Sequence, residues 1–569
     1  MRTHEYIIAC VSLFYYRASL AFINGHRKSR GNRCRVEEAS TVKDSCGNFN
    51  WNNQWYPVGV IDQLDKERPH PIIVRGRELV LWFDESMTEW RVFEDRCPHR
   101  AAPLSEGRVE ASGHLFCAYH AWTFDGQGQC SNIPQASSDD AMLRLMANKR
   151  SCAKNFATME SIGLVWVWGM SMSEDHELLS AQPQNSPVIP EEFLNGTLCS
   201  SGTLWQSHWD SRVLPYGWES LMENLIDPAH VAVAHHGVYG DRYKDPRPFR
   251  NHVTRDEGHM GFSVAQDPPP HPVESNLGFG PIRLDVIRGS VLLWPTRQMK
   301  GHRSTVHHFY PPGLMRLDIE EFDGRRIILV VYGTPTTMGS TRYFATVLLK
   351  SSADSESALP RSLLEFNLPV PRWLYHTAAP IFLHQDMVFL HRQEKLLHAR
   401  RDLLLNDDCG RGESWNDMFF SATSADIAPN LLRTWVDKYG NGMMLEPSHI
   451  PKAAIHRYAQ RMPPVEENEE RLYDTYHAHT KNCVHCSKAL RNIKVLSFAT
   501  NSLALILGAA TVETAVEGLT APALGNVAGD FIEIQCAEAA AALLLGSIGV
   551  ALRQLEGMMH MYYFKHQEN

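Results

Sequence analysis

The sequence predicts an α+β protein in three parts: an N-terminal all-β domain, an α+β domain whose antiparallel sheet carries helices on one side, and a C-terminal hydrophobic helical hairpin. Three observations predict it. Short apolar runs, such as 71–74 and 79–83, are separated by turn residues in the stretch after Phe49, as antiparallel strands require. Further on, a helical segment around 218–236 is followed by apolar runs at 326–332 and 343–349, so helices and strands share one unit. Two apolar stretches, 495–510 and 537–552, lie near the C-terminus. At 569 residues the chain exceeds a single core. A net charge of −9 without a basic stripe argues against a nucleic-acid partner. Twelve cysteines scattered over this length are no disulfide framework.

Residues 1–45 read as a targeting presequence. A short apolar region at 6–16 follows Arg2 and His4, small residues stand at Ser19 and Ala21, and a basic, acid-free run (His26, Arg27, Lys28, Arg30, Arg33, Arg35) follows Phe22. The β domain is expected over 49–170, from the run FNWNNQWYPVG to the run GLVWVWG. Within it, Cys97-Pro98-His99 and Cys117-Ala118-Tyr119-His120 are separated by seventeen residues. Two Cys and two His at this spacing match the ligand set of a Rieske [2Fe–2S] cluster, with thiolates on one iron and imidazoles on the other. A structural zinc accepts the same ligand types, but the spacing, Pro98 and the Tyr-His-x-Trp ending favour the cluster.

Residues 171–195, rich in Ser, Pro and acids, read as a linker, and 196–464 as the α+β domain. The run WESLMENLIDPAHVAVAHHG sets Asn224, Asp227, His230 and His235 in the order Asn-x2-Asp-x2-His-x4-His. Two nearby imidazoles are two thirds of the 2-His-1-carboxylate set that holds a mononuclear non-haem Fe(II) and leaves positions open for O2. A His pair alone is more often packing or solvated; the upstream cluster motif makes the joint signal strong. The carboxylate is expected from elsewhere, with Asp386 in FLHQDMVFLHRQEK as the candidate. His236 rivals His235, and the four-residue gap favours His235. Asp227, three residues before His230, is read as a group that orients the ligand ring or relays electrons from a cluster histidine. Its plainer role is a helix N-cap ahead of Pro228.

Residues 465–494 are expected to be a linker bearing Cys483-x-x-Cys486. The pair is either a thiol switch answering to thioredoxin or two ordinary cysteines on an exposed linker. Residues 495–569 are expected to form a membrane-anchoring hairpin. Each apolar stretch spans sixteen residues, short of the roughly twenty that cross a bilayer, and Asn501 and Glu538 interrupt them. Lys488, Arg491 and Lys494 precede the first while Arg553 and Lys565 follow the second, so both basic flanks fall on one side. The alternative is a pair of buried amphipathic helices.

The two metal motifs together resemble the Rieske non-haem iron oxygenases. They are most similar to the plant and algal plastid branch of pheophorbide a oxygenases, protochlorophyllide-related oxygenases and translocon-associated Rieske proteins. FNWNNQWYPVG, CPHRAAPLSEGRV, CAYHAWTFDGQGQCSNIPQA, ENLIDPAHVAVAHHG, HQD with Gln393-Glu394, and CVHC before an apolar hairpin carry the resemblance, from about Phe49 onward. The presequence likewise resembles the bipartite plastid type of algae with secondary plastids. One departure is His120-Ala121-Trp122, where the family reads His-Gly-Trp; a methyl is tolerable there only if φ is below zero. The resemblance implies reduced ferredoxin as electron donor and O2 as co-substrate. It implies a hydrophobic tetrapyrrole, pheophorbide a first, opened at its macrocycle. Electrons would pass from the cluster through Asp227 to the iron at His230, His235 and Asp386 of a neighbouring subunit in a homotrimer. It also implies a plastid membrane, envelope or thylakoid, with the soluble domains on the stromal side, and supports thioredoxin as a partner of Cys483 and Cys486. The alternatives are a ring-substituent hydroxylase of a chlorophyll precursor or bilin, and a membrane redox sensor or electron carrier without a substrate. The intact His, His and Asp set argues against the carrier.

Overall fold

The computed structural model describes residues 49–169, 185–194, 204–235, 242–243, 246, 248–267, 274–275, 299–300, 302–321, 326–350, 371–378, 380–405, 419–440, 462–520 and 528–561. The expected presequence at 1–45, His236 and most of the 171–195 linker lie outside these residues.

The N-terminal domain is built from strands β1 (Trp55–Val60), β2 (His70–Val74), β3 (Arg77–Asp84), β4 (Glu89–Glu94), β5 (Arg108–Val109), β6 (Leu115–Phe116), β7 (Thr123–Phe124), β8 (Cys130–Asn132), β9 (Asn155–Phe156), β10 (Thr158–Ser161) and β11 (Leu164–Trp168), with one helix, α1 (Asp139–Met146). They form three antiparallel sheets, ordered β1-β11-β10, β2-β3-β4-β9 and β5-β6-β7-β8. Strand β11 explains the apolar run GLVWVWG. Val165 and Val167 point into one core while Leu164, Trp166 and Trp168 point into another. A strand buried on both faces reads as a continuous hydrophobic stretch, not as an alternation.

The second domain opens with α2 (Glu191–Leu194), then β12 (Leu204–Gln206) and β13 (Asp210–Leu214), then helices α3 (Trp218–Ile226) and α4 (Val231–Ala234). Strands β14 (Asn251–Asp256), β15 (Phe262–Gln266), β16 (Glu274–Ser275), β17 (Met299–Lys300), β18 (His302–Tyr310), β19 (Leu314–Glu321), β20 (Arg326–Pro335) and β21 (Thr341–Lys350) follow. Helices α5 (Arg372–Ala378), α6 (Pro380–Leu405) and α7 (Ile427–Lys438) come next. The main sheet runs β12-β21-β20-β19-β18-β15-β14, with β13 also paired to β21. One face meets the helices: Leu221, Met222, Leu383, Met387, Leu432 and Trp435 share a core with Val264, Phe309 and Val331. The other face, through Ile328, Val330 and Phe344, packs on β11. The first core also takes in Val58, Leu79 and Trp90 of the β domain, so the two domains share buried surface.

Two sequence expectations change here. The helix expected over 218–236 is broken in two. Asp227 sits at φ −88° and ψ 111°, because proline at 228 excludes the helical region for the residue before it. The end of the expected 171–195 linker is no free tether either: Glu192 is buried and grips Arg316 through two hydrogen bonds of 2.7 and 3.0 Å.

After α8 (Glu469–Leu472) and α9 (Thr475–Ala478), two long helices complete the described chain, α10 (Val484–Thr520) and α11 (Ala528–His560). Both are long and apolar enough to cross a membrane. At about 1.5 Å per residue, the 37 residues of α10 outreach a bilayer core. The sixteen-residue apolar stretches are thus only the centres of longer helices. Those centres are not buried: Phe498 is 76% exposed, Leu505 75% and Leu543 74%, which contradicts the alternative of buried helices. Gly549 lets the pair close up, since a Cβ there would stand 2.4 Å from Asn501 Oδ1. The first turns of α10 differ. Cys486, Ala489, Leu490 and Ile493 are buried with Met559 and against Trp373 and Tyr476. The stretch expected as an exposed linker around Cys483 and Cys486 is therefore a docked helix start.

Candidate functional site

The β5–β8 sheet presents two loops of matching geometry. In the first, the Cys97 N–H donates to Ala102 O at 2.8 Å and the Ala101 N–H to Cys97 O at 2.8 Å. In the second, the Cys117 N–H donates to Trp122 O at 2.9 Å and the Ala121 N–H to Cys117 O at 3.0 Å. Each turn requires one residue at positive φ, which is Ala101 (58°) and Ala121 (60°). The departure noted at Ala121 thus falls in the left-handed region, where a methyl is strained. Ser105 anchors the first loop to Asp95 by hydrogen bonds of 2.7 and 2.6 Å. Gln135 holds the second, donating to His120 O at 2.8 Å and accepting from Trp122 Nε1 at 3.2 Å.

Cys97 and Cys117 are buried, whereas His99 and His120 are half-buried at the rim. Their imidazole centroids lie 4.4 Å apart, and His99 stacks on Trp122 at 4.8 Å. Burial pushes the Cys97 thiol up to about 12, so a bare thiolate is unfavourable there and iron would supply the missing charge. His99 Nδ1 is buried with no hydrogen-bond partner among the described residues. Two buried cysteines beside two half-buried imidazoles fit a cluster with unlike ligands on its two irons.

The second constellation forms where the broken helix meets α6. Asn224 lies in the last turn of α3, the Asp227-Pro228 turn redirects the chain, and His230 and His235 flank α4. Asp386 reaches them from α6. One donor atom from each of His230, His235 and Asp386 lies within 4.8 Å of the others. His235 Nε2 is 3.3 Å and His230 Nε2 3.8 Å from Asp386 Oδ2. Asn224 Nδ2 stands between them, 3.2 Å from His230 Nε2 and 3.3 Å from Asp386 Oδ2. His235 Nδ1 donates to Gln385 Oε1 at 3.0 Å, which leaves Nε2 bare and turned to the site. Phe382 stacks on the His235 ring at 3.6 Å. Asp227 Oδ2 is 3.5 Å from His230 Nδ1, and Asp227 also accepts from the Ala229 N–H at 2.8 Å. The N-cap expected of Asp227 is not formed, since Asp227 ends α3 and His230 stands at the N-cap of α4; its carboxylate caps the turn at Ala229 and lies beside the His230 ring.

The charged forms of Asp386 and His230 support each other. Burial alone would raise the Asp386 carboxyl, yet the two histidines and Asn224 hold it below the usual range. Burial alone would lower His230, but Asp386 and Asp227 draw it up. Two imidazoles and one carboxylate with donor atoms this close fit a single ferrous ion with open positions. The site opens into a 320 Å³ cavity lined in part by Phe389, Leu390, Leu397, Phe419 and Phe420.

Sequence reasoning did not find Gln385, Phe382 or His307. Gln385 adjoins Asp386 in the HQD run, which was signal enough. His307, on β18, is buried and within electrostatic reach of Asp227 and His230; burial takes it down to about 4. No spacing rule links it to the site. Cys483 and Cys486, only 2% and 1% exposed, lie with His376 and His479, neither of which the sequence singled out.

The model of the Rieske [2Fe-2S] domain matches residues 54–153, and that of pheophorbide a oxygenase matches residues 309–402. The chain is 30% identical over 477 residues to the chloroplastic pheophorbide a oxygenase of Arabidopsis thaliana, covering 81% of this chain and 77% of that protein. It is 27% identical over 537 residues to the enzyme of the same name from Oryza sativa subsp. japonica, covering 91% and 85%. It is 28% identical over 475 residues to the chloroplastic flavonoid 8-hydroxylase 2 of Ocimum basilicum, covering 80% and 77%. With its cluster loops and iron-type triad, the chain belongs to the pheophorbide a oxygenase family of Rieske non-haem iron oxygenases, enzymes that pair a [2Fe–2S] cluster with a mononuclear iron.

Proposed function

We propose that this oxygenase acts on a chlorophyll-derived tetrapyrrole, with pheophorbide a as substrate and macrocycle opening as outcome, using reduced ferredoxin and O2. The observation that carries the reading is the His230, His235 and Asp386 triad at the wall of a cavity edged by Phe389, Phe419 and Phe420. Flat, apolar rings suit such a lining. Cys97, His99, Cys117 and His120 hold the cluster, which stores and passes single electrons. His230, His235 and Asp386 hold the iron at which O2 is activated. Gln385 orients His235, and Asp227 orients His230. Asp227 is 31% exposed, which leaves it open to a cluster histidine of a neighbouring subunit, so a homotrimer goes with this reading. The division into 1–45, 49–170, 171–195, 196–464, 465–494 and 495–569 goes with it too, with the docked start of α10 joining the catalytic domain. The exposed apolar belt on α10 and α11 anchors the enzyme in a plastid membrane, soluble domains on the stromal side.

A second reading, hydroxylation of a ring substituent on a chlorophyll precursor or bilin, is favoured by the relative named as a flavonoid hydroxylase and by the polar part of the cavity, including Asp426, Asn430 and Arg433. The test supplies the iron-loaded full chain with pheophorbide a, reduced ferredoxin and O2. Loss of the red absorption band with an oxygenated, ring-opened product is expected. An intact band with a hydroxylated product from another pigment supports the second reading. No turnover of any pigment by a fully iron-loaded chain overturns both and leaves an electron carrier.

A further inference from the structure

His376 on α5, His479 after α9, and Cys483 and Cys486 at the start of α10 form a second compact donor set. The catalytic reading uses none of them. We propose that these four residues bind zinc in a closed, tetrahedral Cys2His2 site that fastens the C-terminal hairpin to the catalytic domain.

One donor atom from each residue falls within 4.8 Å of all the others. His479 Nε2 is 3.3 Å from Cys486 Sγ, and His376 Nδ1 is 3.4 Å from Cys486 Sγ and 3.6 Å from Cys483 Sγ. With Zn–S near about 2.3 Å and Zn–N near about 2.0–2.1 Å, a tetrahedron has sulfur–nitrogen edges of about 3.5–3.6 Å. The observed edges of 3.3, 3.4 and 3.6 Å run from just below that value to its upper end. A second Rieske cluster does not fit, because there Cys and His belong to different irons and cannot approach so closely.

The surroundings are those of a metal ligand shell. His479 Nδ1 donates to Ser211 O at 2.5 Å, which fixes the tautomer and leaves Nε2 bare toward the sulfur. Arg212, paired with Asp210 at 2.7 Å, also donates to His376 O at 3.3 Å and steadies that turn of α5. Gln63 Nε2 lies 3.4 Å from His376 Nε2, the nitrogen facing away from the sulfurs; at that length the contact does not fix the tautomer. Two thiolates neutralise a divalent ion, so the occupied site carries no net charge and tolerates its depth.

Depth also separates this site from a thioredoxin target. Cys483, Cys486, His376 and His479 are 2%, 1%, 1% and 3% exposed, and an exchanging thiol needs access. The donors come from three separate segments, so the ion would join α10 to α5 and to the β13 side of the sheet. A four-ligand site with no open position is structural, not catalytic.

The test uses the full chain produced in metal-defined medium. About one zinc per chain is expected beside the iron of the two redox centres, with X-ray absorption at the zinc edge showing two sulfur and two nitrogen neighbours. Co2+ put in its place should give the visible bands of a tetrahedral thiolate complex. Joint Cys483→Ser and Cys486→Ser substitution should remove the zinc and leave the Rieske spectrum intact. If that variant does not fold, the zinc-edge and Co2+ spectra of the unaltered chain decide alone. Zinc retained by a folded double variant would place it at an iron site and overturn the proposal. So would a fourth iron instead of zinc, or a metal-free chain with a Cys483–Cys486 disulfide reducible by thioredoxin.

Discussion

Ala121→Gly is expected to tighten the hold on the cluster. Ala121 sits at φ 60°, where an L side chain costs about 1–2 kcal/mol. Its N–H bond to Cys117 O at 3.0 Å keeps it there, because the turn that presents His120 closes through that bond. Glycine removes the clash but gives the unfolded chain more freedom, a penalty of about 0.4–1 kcal/mol. The balance favours glycine by about 0.5–1 kcal/mol, which is about 2- to 5-fold in the opening equilibrium of the loop. The assay follows the visible absorbance of the full, cluster-loaded chain in moderate urea with an iron chelator. Cluster loss should slow about 2- to 5-fold in Ala121→Gly and accelerate in Ala121→Val, whose β-branched side chain suits this backbone least. Loss at an unchanged or faster rate in Ala121→Gly, with an unaltered starting spectrum, would refute the strain argument.

Asp386→Ala should keep the Rieske spectrum, lose the mononuclear iron and lower turnover at least about 100-fold, read by metal analysis and product formation; undiminished activity would identify another carboxylate as the ligand. Asp227→Ala should leave that iron bound yet slow its reduction by the cluster, measured by rapid-freeze magnetic resonance; unaltered reduction kinetics would remove it from the electron path. Glu394→Ala should destabilise the catalytic domain by about 1–2 kcal/mol in urea unfolding. Glu394 Oε1 accepts the Gly217 N–H that caps α3 at 2.8 Å and leaves no room for a Cβ at Gly217. Gly549→Leu should prise α10 from α11, since even a Cβ meets Asn501; a lower yield of engineered cross-links between the helices would report it.

Legibility followed the range of the interaction. Cys97, His99, Cys117 and His120 belong to two short loops, so spacing along the chain carries most of their geometry. His230 and His235 are also local, although the break at Pro228 decides how they face each other. Asp386 is more than 150 positions from its partners, so no spacing ties it to them and only the run FLHQDMVFLHRQEK marks it. His376 lies 107 residues from Cys483, and no local period points from one to the other. Cys483-x-x-Cys486 therefore looked like an isolated pair on a tether, until α5 and the segment after α9 enclosed it. The hairpin was legible by its apolar centres and basic flanks, but not the docking of its first turns against Trp373 and Tyr476.

The strap at the front of the folded chain has a consequence for the order of assembly. The Phe49 N–H donates to Tyr439 O, and Trp51 Nε1 to Gly440 O, 389 positions downstream. A ribosome or a translocation pore delivers the strap long before its seat exists. The electron-carrying β module must therefore wait, its edge unlatched, until nearly four fifths of the polypeptide has emerged. The final latch comes with the last catalytic helix.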